Sequence, residues 1–533
     1  MHNSFILFCA LNAVKGMVIK MKKLIALILA VIMMFALCAC GDDGGSNNAA
    51  DLEPLTKDDV VSMTIISGAG NPFREDWKVW EYIQEGTGAT LDIHAIPVDY
   101  LTKVALMYAG KDSLTDIVCY DYKPDTDKYA IQRAMMPFED YEEYMPNYNN
   151  WKDSLPEEEY DLLINNRRSF DGKIYASPAT GMEQVSGVRA WIYRKDIFDK
   201  HGLNVPTTYD EVYEVSKKLK ELYPNSYPFA LRQGFANMRI AGSNWKEYWE
   251  PHSYYDFNAD KWVYGASEDV MLDIIKWYKK MIDEKLLPAD FMTIDSSTWE
   301  ELFATERAFI SIEYLSKIDS LNPVGRKTNP EYTLTAFVPP VANTETGKPA
   351  LSKQNHVRLN FTISNTGDAR RMANAAKFID WFYSDEAVEL VSWGKEGETF
   401  ETVNGKKQYI LDEKNSLASH LYGFTTYGTF TRLDPDAAII QQSEEVVSSL
   451  DMVMDHTNGK MNPAEWIAFT EEEQKIVDET FAACKTYTEG TVAKFILGQE
   501  PLSKFDEFRQ GLVEVGSERL LGAYESAYNR VKQ

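Results

Sequence analysis

The chain contains many residues of the types that perform catalysis, but they do not stand in catalytic spacings. None of its seven histidines lies in an H-E-x-x-H pattern, and neither a G-x-S-x-G elbow nor a phosphate-binding glycine loop occurs. Gly68-Ala69-Gly70 begins like a dinucleotide fingerprint, but Phe73 occupies the third glycine position. The 81 acidic residues could supply a carboxylate pair for glycoside hydrolysis, although a sequence does not give their separation. We therefore expect a protein that is not an enzyme and uses no cofactor.

One short segment approaches the pattern of a calcium-binding loop. Asp256-Phe257-Asn258-Ala259-Asp260 supplies oxygen ligands at the first, third and fifth loop positions. Lys261 replaces the glycine of the sharp turn, and Ser267 stands where a bidentate glutamate is required. The flanking runs Tyr254-Tyr255 and Trp262-Val263-Tyr264 favour a hairpin turn instead. We expect no metal site.

The N-terminal residues have the pattern of a secretory signal. Met21-Lys22-Lys23 is a basic start, and the residues from Leu24 to Ala39 are uncharged and mostly apolar. This core is shorter than the ~20 apolar residues of a spanning helix, so a cleaved segment is favoured over an uncleaved anchor. Residues 1–39 are thus predicted to be a signal peptide. Its true start is predicted to be Met21, because the signal is complete without residues 1–20.

The end of this signal carries a second pattern. Leu37-Cys38-Ala39-Cys40 resembles the lipobox of bacterial lipoproteins, in which the cysteine after the cut carries a diacylglyceryl group. The resemblance implies that Cys40 is the lipidated N-terminus and holds the protein at the outer face of the cell membrane, since two or more acyl chains give stable anchoring. Residues 40–54 are polar and lack periodicity, and are predicted to form a flexible tether.

Charge and cysteine content exclude some partners and pairings. The formal net charge is −26, and cleavage would remove four lysines and no acid. Phosphate backbones would repel such a chain, so we expect no nucleic-acid partner. Apart from Cys40, the mature chain has only Cys119 and Cys484 as a possible pair. Cys119 lies in an apolar run, which favours a buried free thiol over a disulfide.

The elements that must position any site begin at Val60. The pattern predicts a strand with Val61, Met63 and Ile65 on one face, and further strands near residues 91–96 and 116–120, with helices between them. Strands joined through helices indicate a parallel sheet, with ligands at the carboxyl ends of its strands. The mature chain is longer than one hydrophobic core usually serves, so two lobes are expected.

Several segments resemble the extracellular solute-binding proteins of sugar ATP-binding cassette (ABC) importers. They are Asp171-Gly172-Lys173-Ile174-Tyr175-Ala176-Ser177-Pro178, the strand and helix start at Arg189–Phe198, and the turn at Val205–Glu211. Residues 376–405 are the most specific match and resemble the larger lipoprotein members that bind complex oligosaccharides. The alginate-binding relatives carry a calcium loop, but residues 224–228 at that position are too few and lack acids.

The resemblance implies an α/β, periplasmic-binding-protein-like fold with two lobes, each a β-sheet flanked by helices, and a ligand cleft between them. It places lobe one at residues 55–182 plus 356–430 and lobe two at residues 183–355 plus 431–533. It implies a monomer that captures an oligosaccharide and delivers it to a permease and its ATPase. The alternatives are a peptide or uronide receptor of an ABC importer and, outside the binding proteins, a surface polysaccharide hydrolase.

Aromatic and charged side chains are the expected ligand contacts. Pyranose rings stack on Trp and Tyr, and their hydroxyls pair with the forked groups of Arg and Asp. Trp393 lies at a glycine-rich helix end, where it is either a stacking platform or a core residue. By alignment to the family, the candidates are Trp77, Asp121, Tyr122, Arg189, Arg232, Trp245, Tyr314, Arg358 and Trp393. For each, core packing or a surface ion pair is the competing interpretation.

Overall fold

The computed structural model describes residues 53–68, 71–110, 114–119, 123–181, 188–353, 358–411, 417–426 and 431–532. The predicted signal peptide, Cys40, Asp121 and Tyr122 lie outside these ranges. The described strands are β1 (Val60–Ile66), β2 (Thr90–Ile96), β3 (Ile117–Cys119), β4 (Met135–Met136), β5 (Pro178–Ala179), β6 (Arg189–Arg194), β7 (Ser253–Asp256), β8 (Lys261–Tyr264), β9 (Ile310–Tyr314), β10 (Leu334–Phe337), β11 (Leu351–Lys353), β12 (Arg358–Leu359), β13 (Phe361–Ser364), β14 (Phe400–Val403), β15 (Lys406–Tyr409) and β16 (Thr457–Met461).

Helices surround these strands in both halves of the chain. They are α1 (Lys78–Thr87), α2 (Tyr100–Gly110), α3 (Lys123–Ile131), α4 (Pro146–Ser154), α5 (Glu157–Leu163), α6 (Lys195–His201), α7 (Tyr209–Leu222), α8 (Gly234–Ile240), α9 (Asp269–Asp283), α10 (Ser296–Ala304), α11 (Ser316–Arg326), α12 (Ala369–Trp381), α13 (Asp385–Ser392), α14 (Ala418–Leu421), α15 (Pro435–Ile439), α16 (Glu444–Asp455), α17 (Glu471–Ile496), α18 (Phe505–Glu514) and α19 (Ser517–Val531). Within the described ranges, every helix falls short of the length or apolarity that spanning a bilayer requires.

The first sheet has the strand order β2-β1-β3-β13-β4. Its strands β2, β1 and β3 are parallel, as the sequence predicts, and Val61, Met63 and Ile65 are fully or almost fully buried. The late strand β13 joins them antiparallel to β3, which no local pattern indicates. The core of this sheet combines residues from the first 180 positions with residues between Phe361 and Leu433.

The second sheet has the strand order β10-β6-β9, and all its pairings are antiparallel. Strand β6 is buried along its whole length because helices cover it on both sides. The predicted hairpin is confirmed: β7 pairs with β8, and the Asp256 carboxylate accepts hydrogen bonds from the Asn258 and Ala259 backbone N–H groups. The Lys246 ammonium lies 2.7 Å from the same carboxylate, so a side-chain cation occupies this position.

Three segments lie side by side where the chain passes between the two sheets. Strand β5 pairs antiparallel with β12, and Thr180 pairs with Arg432. Gly181 follows with φ +92°, and a Cβ there would lie 2.2 Å from the Leu433 carbonyl oxygen. Only glycine fits this backbone conformation and this close approach. The crossing region therefore brings the backbones of these segments into close contact.

Neither of the two cysteines forms a disulfide with the other. Cys119 belongs to β3 and Cys484 to α17, and both thiols are buried. In the part of the chain that the structure describes, no three side chains of His, Cys, Asp or Glu are grouped as a metal site requires.

Candidate functional site

Two predicted ligand residues meet where strands β6 and β9 of the second sheet begin and end. Arg189 begins β6 and Tyr314 ends β9, and the antiparallel register places them opposite each other. The Arg189 guanidinium lies 4.4 Å from the centre of the Tyr314 ring and donates a hydrogen bond of 3.1 Å to the Tyr314 hydroxyl. This is the geometry of a cation–π contact. This end of the two strands thus holds a guanidinium in a fixed position beside an aromatic ring.

A third predicted residue, Arg232, also lies near the Tyr314 ring. Its guanidinium lies 5.8 Å from the centre of the Tyr314 ring. Arg232 Nε and Nη2 donate to the two carboxylate oxygens of Glu313, the latter bond measuring 2.9 Å. The Glu313 side chain is 2% exposed and also accepts from the Tyr314 backbone N–H. Arg232 and Glu313 therefore neutralise each other in a buried, two-pronged pair. We call Arg189, Arg232, Glu313 and Tyr314 the arginine cluster.

The start of α8 supports the arginine cluster. Gln233 precedes the helix in the left-handed conformation, with φ 54° and ψ 51°, and its Oε1 accepts from Arg189 at 3.0 Å. Asn237 Oδ1 accepts from Arg189 at 3.0 Å, while its Nδ2 donates to the Arg232 carbonyl oxygen at 2.7 Å. A left-handed residue other than glycine costs about 1 kcal/mol or more and is typical of ligand clamps.

A cavity of about 280 Å³ lies beyond the other end of α8. Its charged and amide lining comes from α3, which follows the first sheet's β3, and from segments that pack around the second sheet. These residues are Asp125, Lys128, Arg239, Glu250, His252, Asn462, Glu465, Gln474 and Asp478. A helix that follows the first sheet and segments around the second sheet therefore line one polar space together. Neither this cavity nor two other depressions, of about 560 and 550 Å³, contains any of the predicted residues.

The cavity contains an ion pair and two ionisable groups whose pKa values are shifted by burial. Arg239 pairs with Glu465 at 2.6 Å and lies 3.8 Å from Glu250. Burial raises the pKa of Glu250 to about 7, and Arg239 opposes that rise. Burial lowers the pKa of His252 to about 4, which keeps its ring neutral at physiological pH. Among the described atoms, His252 Nε2 and Gln474 Oε1 have no hydrogen-bond partner.

The predicted tryptophans do not join the arginine cluster. Trp77 is 3% exposed and donates to the His420 carbonyl oxygen at 3.1 Å. Trp393 is 2% exposed, donates to the Asp434 carboxylate at 2.7 Å, and stacks on Tyr409 at 4.7 Å between ring centres. These environments favour the core interpretation for both residues.

Three further candidates have other positions. Trp245 is half-buried and packs edge-on against Tyr209 at 4.8 Å. Arg358 begins β12 in the crossing region, and its side chain lies outside the described part of the structure, as do Asp121 and Tyr122. The roles of these residues in ligand binding stay predictions.

The cavity residues were not predicted from the sequence. Arg239, Glu250, His252 and Glu465 come from separate segments that only the tertiary fold brings together. None of them stands in a local motif. The sequence offers only a weak indication of the cavity: Arg239 lies in the same short helix as Asn237, and this helix begins beside the predicted residue Arg232.

Comparison with known proteins agrees with this architecture. The family described as "Bacterial extracellular solute-binding protein" matches residues 73–389. Lipoprotein LipO of Bacillus subtilis (strain 168) is 22% identical over 531 residues, which cover 96% of this chain and 99% of LipO. The crystal structure of alginate-binding protein AlgQ2 without calcium ion is similar with a TM-score of 0.71 at 20% identity, covering 90% of this chain and 100% of AlgQ2.

A second solved structure gives the same result. The substrate-binding protein FusA of Streptococcus pneumoniae, an ABC-transporter protein in complex with kestose, has a TM-score of 0.70 at 18% identity. The match covers 89% of this chain and 99% of FusA. The fold is therefore that of the two-lobed periplasmic solute-binding proteins, in which each lobe is an α/β sheet structure and the cleft lies between them.

Proposed function

The chain belongs to the bacterial extracellular solute-binding protein family, and we propose that it captures an oligosaccharide in its cleft and delivers it to the permease of an ABC importer. Relatives in this family are solute-binding proteins and not enzymes, so the expectation of a non-enzyme agrees with the family. The observation that carries the proposal is the polar cavity, because a helix that follows the first sheet and segments that pack around the second sheet line it together. Two of its polar atoms also lack hydrogen-bond partners among the described residues.

The chemistry of the cavity suits a ligand with many hydroxyl groups. A hydroxyl both donates and accepts, so it can satisfy His252 Nε2 and Gln474 Oε1, which have no hydrogen-bond partner among the described residues. The Arg239–Glu465 pair offers further charged hydrogen-bonding groups in the same space. Buried polar groups without partners are costly, so ligand binding would remove that cost.

Known ligands of the relatives support the class of ligand. FusA has been solved with kestose, and AlgQ2 is named as an alginate-binding protein. These names concern those proteins, and their low identity to this chain transfers no particular sugar. They favour a carbohydrate over a peptide.

Closing of the cleft follows from the same geometry. A ligand that contacts lining residues of α3 and of α8 binds the closed arrangement better than the open one, and this difference drives closure. The three crossing segments around Gly181 are the proposed hinge. Small-angle scattering with a bound ligand should show a smaller radius of gyration at unchanged secondary structure; an unchanged radius would contradict closure.

A glycan array followed by calorimetry tests the proposed function. The mature protein should bind at least one oligosaccharide, and Arg239→Gln should weaken that binding because it removes a charged donor from the cavity. Arg519→Gln is the matched control, since Arg519 is exposed and pairs with Glu479 on the surface. Turnover of a bound glycan would instead indicate the surface hydrolase, and binding of peptides alone would indicate the peptide receptor.

Anchoring through Cys40 is a separate part of the proposal. The relative LipO is named a lipoprotein and covers almost the whole chain, which supports a lipid anchor. We expect wild-type protein to fractionate with membranes and to incorporate a lipid label, and Cys40→Ala to do neither. A variant that still incorporates label and stays in the membrane would contradict this anchor.

A further inference from the structure

The charged side chains that line the polar cavity are mostly acids. Four of them end in carboxyl groups and two are cationic; the acids are Asp125, Glu250, Glu465 and Asp478, and the cations are Lys128 and Arg239. The ring of His252 adds no positive charge at physiological pH, because burial lowers its pKa to about 4. The formal net charge of the whole chain is −26. The cavity lining is thus acidic within an acidic protein.

Two of these acids receive unequal compensation from the cations around them. Arg239 lies 2.6 Å from Glu465 but 3.8 Å from Glu250. Glu465 also acts on Arg167: burial lowers the pKa of that guanidinium to about 10, and the charge of Glu465 opposes this fall. Glu250 is 7% exposed, and burial raises its pKa to about 7 although Arg239 opposes the rise. A further cation beside Glu250 would therefore stabilise its ionised form.

Gln474 adds a buried acceptor to the same lining. Its side chain is 8% exposed, and its Nε2 donates a hydrogen bond of 2.9 Å to the Asp478 carboxylate. An ionised carboxylate cannot donate, so this contact fixes the orientation of the amide and leaves Oε1 as the accepting atom. Gln474 Oε1 has no hydrogen-bond partner in the described part of the chain. A buried acceptor without a donor is costly, so this atom points to a ligand that supplies one.

Aromatic rings complete the lining of the cavity. Phe469, Phe481 and Tyr524 contribute to it, and Phe469 packs edge-on against Tyr524 at 5.1 Å between ring centres. Such rings contact the apolar faces of pyranoses and attract cations over their own faces. An ammonium group carries a positive charge and three N–H donors, so one such group can meet a carboxylate and a carbonyl oxygen together, whereas a hydroxyl has one donor and no charge.

We propose that the cavity selects an oligosaccharide with free amino groups, and that Glu250 and Gln474 receive the ammonium group of one amino sugar unit. This inference rests on the proposed function and names one class of sugar within it. A sugar with a carboxylate would bring another negative charge to an acidic lining, which is unfavourable at short distance. A sugar with only hydroxyl or acylated amino groups would bring no cation to Glu250.

The decisive probes are the β-1,4-linked tetramer of glucosamine and cellotetraose, which differ only in an amino or a hydroxyl group at one carbon of each unit. The α-1,4-linked tetramers of galactosamine and galactose give the same comparison for a second sugar. Calorimetry on the mature wild-type protein at neutral pH should show binding of at least one amino tetramer and about 10- to 100-fold weaker binding of its hydroxyl counterpart, the usual effect of losing a charged hydrogen bond. This comparison needs no variant, so a folding defect cannot obscure it.

The variant Glu250→Gln keeps the shape of the side chain and removes its charge, so the preference for the amino tetramer should fall about tenfold or more. Glu401→Gln is the matched control, because Glu401 is exposed in β14 and its variant should keep the wild-type preference. Equal binding of the amino and hydroxyl tetramers, an unchanged preference in folded Glu250→Gln, or binding only of array glycans without amino groups would overturn the amino-sugar inference and leave the proposed function standing. Binding of no glycan at all would overturn both.

Discussion

The surroundings of Trp393 and those of Arg189 show two different uses of large side chains. Trp393 has one polar atom, which Asp434 satisfies, and its ring is enclosed by Tyr409 and Phe400. Arg189 donates to neutral acceptors, one of them the left-handed Gln233, and its Nε has no hydrogen-bond partner in the described part of the chain. The first environment is complete without a ligand and the second is not. Completeness of polar contacts therefore separates the two regions better than residue type does.

The largest expected effect is on stability, from Trp393→Ala. Removing this ring leaves a cavity against Tyr409 and Phe400 and removes the donor to Asp434 Oδ2. We expect a loss of about 4 kcal/mol in the free energy of unfolding, with glycan affinity retained in the folded fraction. Thermal and urea melts measure the first and calorimetry the second. Trp393→Phe should lose less, because it keeps most of the packing; weak binding at unchanged stability would place Trp393 in the binding region instead.

A somewhat smaller loss is expected from breaking the Arg232–Glu313 pair. Arg232→Met leaves the Glu313 carboxylate, 2% exposed, without its counter-ion. We expect about 3 kcal/mol of destabilisation, at the low end of values for broken buried pairs because Arg232 keeps 11% exposure.

The matched control is the double variant Arg232→Met/Glu313→Met, which removes both charges and should recover most of the loss. Denaturant melts of the two variants give the comparison. If the single variant is as stable as the double one, Glu313 is not held by Arg232, and the arginine cluster is less constrained than the geometry indicates.

The third prediction concerns pH and Glu250. Burial raises the pKa of this carboxyl group above its unfolded value of 4.5 to about 7, so the folded state binds more protons than the unfolded state between these values. Stability from this group is therefore lost as pH rises from about 4.5 to 7. Glu250→Gln removes the effect and should be about 3 kcal/mol more stable than wild type at pH 8, with no difference near pH 4.

His252 in the same cavity has the opposite slope, because its lowered pKa costs stability as pH falls from about 6.5 to 4. The wild-type curve should thus be flat where the two slopes overlap, and the variant curve should fall toward acid. Urea titrations between pH 4 and 8 measure both curves, with exposed Glu401→Gln as the control. A pH-independent difference between variant and wild type would show that Glu250 is not a buried acid.

Sequence patterns predict those elements of the fold that depend on neighbouring residues. The alternation at Val61, Met63 and Ile65 gave β1, and the turn chemistry after Tyr255 gave the β7–β8 hairpin. The insertion of β13 beside β3 depends on contacts between residues more than 200 positions apart, and the local spacing of apolar residues does not indicate such contacts. The same limit explains the site: Arg189 and Tyr314 were reached through family motifs, while Glu250 and Glu465 meet only in the folded chain.

The smallest expected change in stability is from Trp245→Ala. The expected pattern is the opposite of that for Trp393→Ala, with stability nearly retained and glycan affinity reduced. Trp245 is half-buried, and its main described ring contact is the edge-on pair with Tyr209. Losing that pair should cost about 1 kcal/mol, because solvent can enter the space. If a predicted tryptophan stacks on the ligand, Trp245 is the one whose ring is open to it, and its variant should weaken glycan binding about tenfold at a nearly unchanged melting temperature. Calorimetry and melting of Trp245→Ala and Trp393→Ala together give the test. Equal affinity in both variants would remove the tryptophans from the site and leave ligand recognition to the arginine cluster and the polar cavity.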